Sequence, residues 1–213
     1  MPSADPGAPA LRPADVERWL SDLGLEPIDR GERDGIASWD LVLDGRRRFD
    51  LRVTIILDPT LALICWAQFA PPINDMFRKS YRKLLRWNDE LPFAKFAVSD
   101  DERPLLTIEL PIADAVAPPT EDQLGLALAR IVGIADRLLD DSADWLWFGG
   151  KIPDQSDRTP RNPDFLARYE GRLGELDVAG DGDGAAGDAA ADDVEGDAAG
   201  DATTTGDATT TGA

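Results

Sequence analysis

Apolar and polar positions alternate through the first half of the chain. Trp39, Leu41 and Leu43 occupy every second position, and the same period continues from Phe49 to Leu57. A period of two is typical of a strand with one buried face. The next segment, Leu61 to Phe69, is apolar on both faces, so we expect a third strand whose second side is also covered.

Turn signals separate these segments. Asp44-Gly45 predicts a tight hairpin turn, because both central positions of such a turn favour positive φ. Asp58-Pro59-Thr60 predicts a second turn. The glycine and charged residues from Asp29 to Ser38 predict a loop before the first strand. The three strands are therefore expected to form an antiparallel meander.

Helical periodicity occurs on either side of the meander. Pro13 suits the first turn of a short helix, and Gly24 provides its left-handed end. After the meander, Asp75 to Trp87 predicts an amphipathic helix that ends before Leu91-Pro92. The predicted apolar face of this second helix consists of Phe77, Tyr81, Leu84 and Leu85. Its other face carries Arg78, Lys79, Arg82, Lys83 and Arg86.

A second hairpin and a last helix follow. Phe93 to Val98 and Leu105 to Leu110 are predicted strands, joined by a turn from Ser99 to Pro104. Thr120 and Gln123 have the spacing of a capping box and predict the start of the last helix. Its expected buried stripe is Leu124, Leu128, Ile131, Ala135 and Leu138.

These elements predict one α+β domain over residues 12–148: helix, three-stranded antiparallel meander, helix, two-stranded hairpin, helix. Residues 1–11 are rich in Pro and Ala and are expected to be loose. Residues 149–176, the arm, contain several prolines and a weak helical signal. Residues 177–213 combine Ala, Gly, Thr and ten acidic residues without a Lys or Arg, so we expect a disordered acidic tail.

The net charge limits the classes of partner. The whole chain has a formal charge of −19, and without the tail 31 acidic residues remain against 22 basic ones. Such a surface repels nucleic acid and anionic membranes, so we expect neither as a partner. No signal peptide and no apolar run long enough to span a bilayer is evident. A soluble, cytoplasmic protein is therefore predicted.

The residues that usually perform catalysis are scarce. The chain has no histidine, which excludes histidine-activated nucleophiles and histidine-ligated metals. Its one cysteine, Cys65, lies within an apolar strand with no basic neighbour in sequence, which favours a buried structural thiol. We therefore predict no catalytic residues, no cofactor and no metal site.

Two groups of residues are candidates for binding another protein. Arg78, Arg82 and Arg86 belong to the basic face of the second helix, although a solvated face is the simpler interpretation. Trp39, Trp66 and Phe96 add more aromatic surface than one small layer needs, although core packing is the simpler interpretation for them. The alternative is an apolar groove that binds a segment of another protein.

A family resemblance involves the middle of the chain. The segment LLRWNDELPFAKFAVSDDERPLLTIELPI, residues 84–112, is similar to YbjN-domain proteins, which are related to the type III secretion chaperones. In these proteins a helix ends in an Asn-containing polar step. An apolar-Pro-Phe-x-Lys-Phe strand, an acidic turn and a Leu-rich strand follow. The resemblance implies an acidic, commonly dimeric protein without catalytic residues, which holds client segments on apolar patches or acts as a sensory-transduction regulator.

The predicted function is therefore a non-enzymatic, homodimeric protein-binding module, chaperone-like or regulatory, with a protein partner on an apolar surface. The alternative is a small-molecule sensor or an enzyme, which would require an enclosed pocket with converging polar groups.

Overall fold

The structure is a computed structural model that describes residues 11–70, 78–113, 115, 117–140, 155 and 157–174, without the side chains of residues 78–80. All of the described residues lie in one compact unit. They form an α+β fold built on a six-stranded antiparallel sheet, which confirms the predicted fold class. Of the predicted loose N-terminus, residues 1–10 lie outside the described residues, whereas Leu11 is 6% exposed and belongs to the core. The predicted acidic tail also lies outside the described residues.

Six strands and four helices make up the described part of the chain. The strands are β1 (Asp29–Arg33), β2 (Ile36–Leu43), β3 (Leu51–Asp58), β4 (Ala62–Gln68), β5 (Lys95–Val98) and β6 (Pro104–Pro111). The helices are α1 (Pro13–Asp22), α2 (Arg78–Glu90), α3 (Glu121–Arg137) and α4 (Pro163–Tyr169), and the 3₁₀ turn Glu170–Arg172 follows α4. The strand order is β1-β2-β3-β4-β6-β5, so the second hairpin joins the meander through β6.

The first hairpin differs from the prediction. The segment predicted as a loop, Asp29 to Ser38, contains β1 and the beginning of β2. Asp34 (φ 54°) and Gly35 (φ 80°) both have positive φ and connect Arg33 directly to its partner Ile36. Positive φ at both central residues is the geometry of a tight hairpin turn. All five residues of β1 are exposed, and this edge strand therefore lacks the buried alternation that predicts strands.

The predicted turn at Asp44-Gly45 is wrong. β2 ends at Leu43 and β3 begins at its partner Leu51, so residues 44–50 form a seven-residue connection. Neither Asp44 nor Gly45 is among the residues with positive φ. This connection, Asp-Gly-Arg-Arg-Arg-Phe-Asp, is called the arginine loop below.

The core lies on one face of the sheet, the inner face. Alternate strand residues such as Trp39, Ile55, Cys65 and Leu106 are at most 1% exposed and form one cluster with side chains of all four helices. The capping box of α3 is confirmed. The backbone N–H of Gln123 donates to Oγ1 of Thr120 at 3.3 Å, and the N–H of Thr120 donates to Oε1 of Gln123 at 2.9 Å. The predicted buried stripe of α3 also lies in this core.

The apolar face of α2 is rotated from the prediction. Leu84 and Trp87 are 3% and 5% exposed, whereas Leu85 is 69% exposed and lies outside the core. Trp87 packs between aromatic rings from β5 and the end of β4. The following strand begins at Lys95 and not at Phe93, which has a φ of 63° and is 76% exposed.

Candidate functional site

The arginine loop closes around a carboxylate of α3. Asp136 accepts hydrogen bonds from three successive backbone N–H groups, those of Arg46 (2.6 Å), Arg47 (3.0 Å) and Arg48 (2.6 Å). Consecutive N–H groups that converge on one anion form a nest that stabilises negative charge. A Cβ at Gly45 would lie 2.5 Å from Oδ1 of Asp136, so glycine permits this approach. A side chain of the same protein thus fills the nest.

The first carboxylate of the arginine loop itself, Asp44, is fully buried and binds residues of the arm. It accepts hydrogen bonds from the N–H of Asp50 (2.8 Å), the N–H of Arg161 (3.0 Å) and Nη1 of Arg161 (3.3 Å). The side-chain amide of Asn162 pairs with the backbone N–H and carbonyl of Asp44 at 3.2 and 3.4 Å. A buried carboxylate is tolerated only with such donors, so the loop and the arm depend on each other.

The second carboxylate of the loop, Asp50, binds two arm arginines. Nη1 of Arg158 and Nη2 of Arg161 each donate to its carboxylate at 2.6 Å. These hydrogen bonds, first that of Arg158, lower the pKa of Asp50 from 3.8 to about 2. The guanidinium of Arg158 also lies 4.6 Å from the ring centroid of Phe49, which adds a cation–π contact between loop and arm.

Two aromatic side chains anchor α4 in the core. Phe165 and Tyr169 are 4% and 1% exposed and contact each other, with ring centroids 5.6 Å apart. A Cβ at Gly125 of α3 would collide with the Tyr169 hydroxyl, so a close helix approach requires glycine there. Two ion pairs flank these anchors: Arg168–Glu121 and Arg172–Asp122. The helix α4 of the arm therefore packs into the same hydrophobic core as the sheet.

A half-open cleft of about 510 Å³ lies between the arginine loop, α3 and the arm. We call it the loop–arm cleft. Its apolar lining comes from Val132, Pro160, Pro163, Leu166, Ala167 and Leu173. Its charged lining comes from Arg46, Arg47, Asp136, Arg137 and Glu170. Such a combination of apolar walls and a few charged groups is typical of small-molecule sites.

The sheet face opposite the core, the outer face, is the second candidate surface. Its centre carries seven half-buried side chains, five of them apolar: Val42, Thr54, Ile56, Ile64, Trp66, Leu105 and Thr107. Trp66 pairs with Thr54 and Thr107 across the sheet, and Ile64 pairs with Ile56. No described helix packs against this face, since the helices share the core cluster of the inner face.

The structure separates the three aromatic residues that the sequence singles out. Trp39 and Phe96 lie on the inner face and are 1% and 7% exposed, so a partner at the surface cannot reach them without rearranging the core. Trp66 lies on the outer face and is half-buried. Asn88 of α2 binds the backbone of Phe96, with Phe96 N–H to Oδ1 at 2.6 Å and Nδ2 to the carbonyl at 3.0 Å. These two hydrogen bonds give the Asn-containing step at the end of α2 a packing role.

The predicted basic residues lie on the second helix. Arg82 and Arg86 are exposed on α2, and Arg86 pairs with Glu90 at 3.1 Å. The side chain of Arg78 lies outside the described residues. Neither Arg82 nor Arg86 lines the loop–arm cleft, so the structure does not bring these cations together with the cleft arginines.

Three further features of the described residues concern the cysteine, metal ligands and membrane-spanning helices. Cys65 is fully buried, and burial raises the pKa of its thiol to about 12. No group of three or more Cys, Asp and Glu residues in the described ranges could hold a metal ion. In the same ranges, no helix has the length and apolar content to cross a bilayer.

Sequence reasoning missed the carboxylates Asp44 and Asp136 and the arginines of the cleft. The run Arg46-Arg47-Arg48, placed between two aspartates, was the available signal. Its significance depends on α3 and the arm, which are distant in sequence.

Comparison with known protein families identifies one match. The YbjN family, described as "putative bacterial sensory transduction regulator", matches residues 12–143. No curated protein matches the chain. The matched range covers the sheet and α1 to α3, whereas α4 follows it in the chain.

Proposed function

Because this chain belongs to the YbjN family, we propose that it is a non-enzymatic protein-binding module with a regulatory or chaperone-like role. The family description supports a regulatory role in general terms. The single observation that carries the proposal is the outer face, where apolar side chains occupy the central strands and no described helix covers them.

The chemistry of the outer face fits a polypeptide partner. Ile56, Ile64 and Trp66 lie close together on neighbouring strands, and polar side chains border them. One bordering pair is Lys95 and Glu109, with Nζ and Oε2 2.7 Å apart. An apolar centre within a polar rim is the usual composition of a protein interface. The partner is therefore expected to present apolar side chains.

A lysine placed in the centre of the outer face tests this proposal. The full-length chain with Ile64→Lys would be purified from its native host together with its bound proteins, which mass spectrometry then quantifies. Because an unpaired charge in a desolvated interface is costly, recovery of the partner should fall by at least about tenfold. Ile36→Lys is the matched control, because Ile36 of β2 also faces outward but is 40% exposed beside the first turn.

The two lysine variants separate the possible outcomes. Equal partner recovery with both variants and the wild type would refute a binding role for the outer face. Light scattering measures self-association in the same samples. A mass that halves only in Ile64→Lys would assign the face to the predicted homodimer instead of another protein.

A small-molecule sensor is the second candidate, and one observation favours it. The loop–arm cleft combines apolar walls with converging charged groups, which is the feature that this alternative requires.

A further inference from the structure

We propose that the loop–arm cleft is a binding site for a small amphipathic anion, whose acidic group pairs with Arg46 and Arg47 while its apolar body contacts Val132, Leu166 and Leu173. This inference goes beyond protein binding at the outer face and uses none of the same residues. The volume, about 510 Å³, lies within the range of known ligand sites.

Arg46 and Arg47 each pair with a carboxylate of the protein, and the acidic group of a ligand can replace that carboxylate. Arg46 pairs with Glu170 of the arm, and Arg47 pairs with Asp140 at 2.8 Å. All four side chains are at least half exposed, between 52% and 73%. The exposed pair of Arg46 contributes little to stability, so exchanging Glu170 for another carboxylate costs little. Arg47 holds Asp140 with two hydrogen bonds of 2.8 Å, so an acidic group that replaces Asp140 must offer two oxygens. Both guanidiniums are therefore available to an acidic group that arrives from solvent.

The remaining carboxylate in the lining is not a barrier to an anion. Asp136 is surrounded by the three N–H groups of the arginine loop, which stabilise its charge from the loop side. The arginines Arg46, Arg47 and Arg137 are matched in number by the carboxylates Asp136 and Glu170 of the lining and by Asp140, which pairs with Arg47. In a chain with a formal charge of −19, this balance distinguishes the cleft from the average surface.

The apolar lining of the cleft determines the chemistry of the part of the ligand that lies beyond its acidic group. Val132 of α3 lines the cleft and is 1% exposed, whereas Leu166 and Leu173 of the arm are partly buried. These side chains offer hydrocarbon and no hydrogen-bonding groups. A fully polar anion would leave this surface in contact with water, whereas an apolar body would cover it. The ligand class is thus an aromatic or aliphatic carboxylate, sulfonate or phosphate.

Anilinonaphthalene sulfonate, a fluorescent amphipathic anion, is the probe for a titration of the full-length chain. Ala167→Glu adds a negative charge at an exposed position of α4 that lines the cleft, and it should weaken binding by about tenfold. Ala14→Glu makes the same change at an exposed position of α1 and should leave the affinity unchanged. Equal affinities in the two variants would overturn the proposal, because the probe would then bind elsewhere.

A second pair of variants tests the exchange of carboxylates and does not depend on a loss of binding. Glu170→Gln removes the competitor of the ligand at Arg46 and should tighten binding by about two- to fivefold. Glu90→Gln removes the same charge from the exposed pair with Arg86 on α2 and should not. Equal effects of the two variants would overturn the role of Arg46. Ile64→Lys should leave the affinity for the probe unchanged. Protein binding at the outer face and anion binding in the cleft can therefore be refuted independently.

Discussion

Two Asp-Gly pairs flank the strand β2: Asp34-Gly35 directly precedes its first residue, and Asp44-Gly45 directly follows its last. The first forms a tight turn with positive φ at both residues. The second begins a seven-residue loop in which neither residue has positive φ. The same dipeptide therefore adopts two different conformations, one at each end of β2.

The difference lies in the tertiary partners of the two aspartates. The Asp34 side chain is 84% exposed, so only its local backbone preference decides the conformation. The Asp44 side chain is 1% exposed and accepts hydrogen bonds from Asp50 and Arg161. A tight turn at Asp44 would leave those donors without this acceptor. Tertiary hydrogen bonds thus override a local turn signal where the side chain is buried.

The largest expected effect comes from removing the buried aspartate. Asp44→Ala leaves the N–H groups of Asp50 and Arg161 without their acceptor and should lower the free energy of unfolding by about 3 kcal/mol. Asp34→Ala is the matched control and should cost less than about 1 kcal/mol, because only the preference for a left-handed residue is lost. Urea unfolding of both variants measures this. Equal losses of unfolding free energy would mean that the burial of Asp44 does not explain why the two Asp-Gly pairs differ in conformation.

The next effect concerns the carboxylate inside the arginine loop. Asp136→Asn keeps the shape but removes the negative charge and one acceptor from the three N–H donors, so it should cost about 2 kcal/mol. Asp140→Asn removes the same charge from an exposed pair with Arg47 and should cost less than about 1 kcal/mol. Thermal unfolding at neutral pH compares them. A larger loss for Asp140→Asn would contradict the nest as the element that orders the loop.

The two glycines should respond similarly but for different reasons. Gly35→Ala places a side chain at a φ of 80°, and Gly45→Ala places one 2.5 Å from the carboxylate of Asp136. Each should cost about 1 kcal/mol. In an Asp136→Ala background the cost at Gly45 should largely disappear, while the cost at Gly35 should not change. Urea unfolding of the double variants gives both coupling energies, and an unchanged cost at Gly45 would exclude the steric cause.

The smallest effect is a pH dependence of the arm contacts. The pKa of Asp50 is lowered from 3.8 to about 2 by Arg158 and then Arg161, so its ion pairs stabilise the fold fully above 3.8. This stabilisation is lost as pH falls through about 2. Because Asp50 is 51% exposed, the change should stay below about 1 kcal/mol. Urea midpoints of wild type and Asp50→Asn should converge in this acid range, and a constant difference would contradict the assignment.

The outer face and the loop–arm cleft differ in how far the sequence predicts them. The period of two already places Trp66 on the face opposite Cys65, and the two-sided apolar character of this segment indicates a second apolar surface. The cleft has no such periodic signal. Its arginine loop contacts α3 about ninety residues later, since Arg46 and Asp136 are separated by 90 positions. Trp39 was a candidate for binding only because composition does not reveal which face is covered.

The sequence by itself determined the α+β class, the order of the helices and of every strand except β1, the capping box at Thr120 and the membership of the family. These depend on periodicity and on residues within one turn of each other, so local physical preferences suffice. Only the tertiary structure decided the conformation at Asp44-Gly45, the burial of Trp39 and the cleft beside the arm. Each of these depends on partners distant along the chain, as with Asp44 and Arg161, 117 residues apart, and the hydrogen bonds between them exist only once the chain is folded.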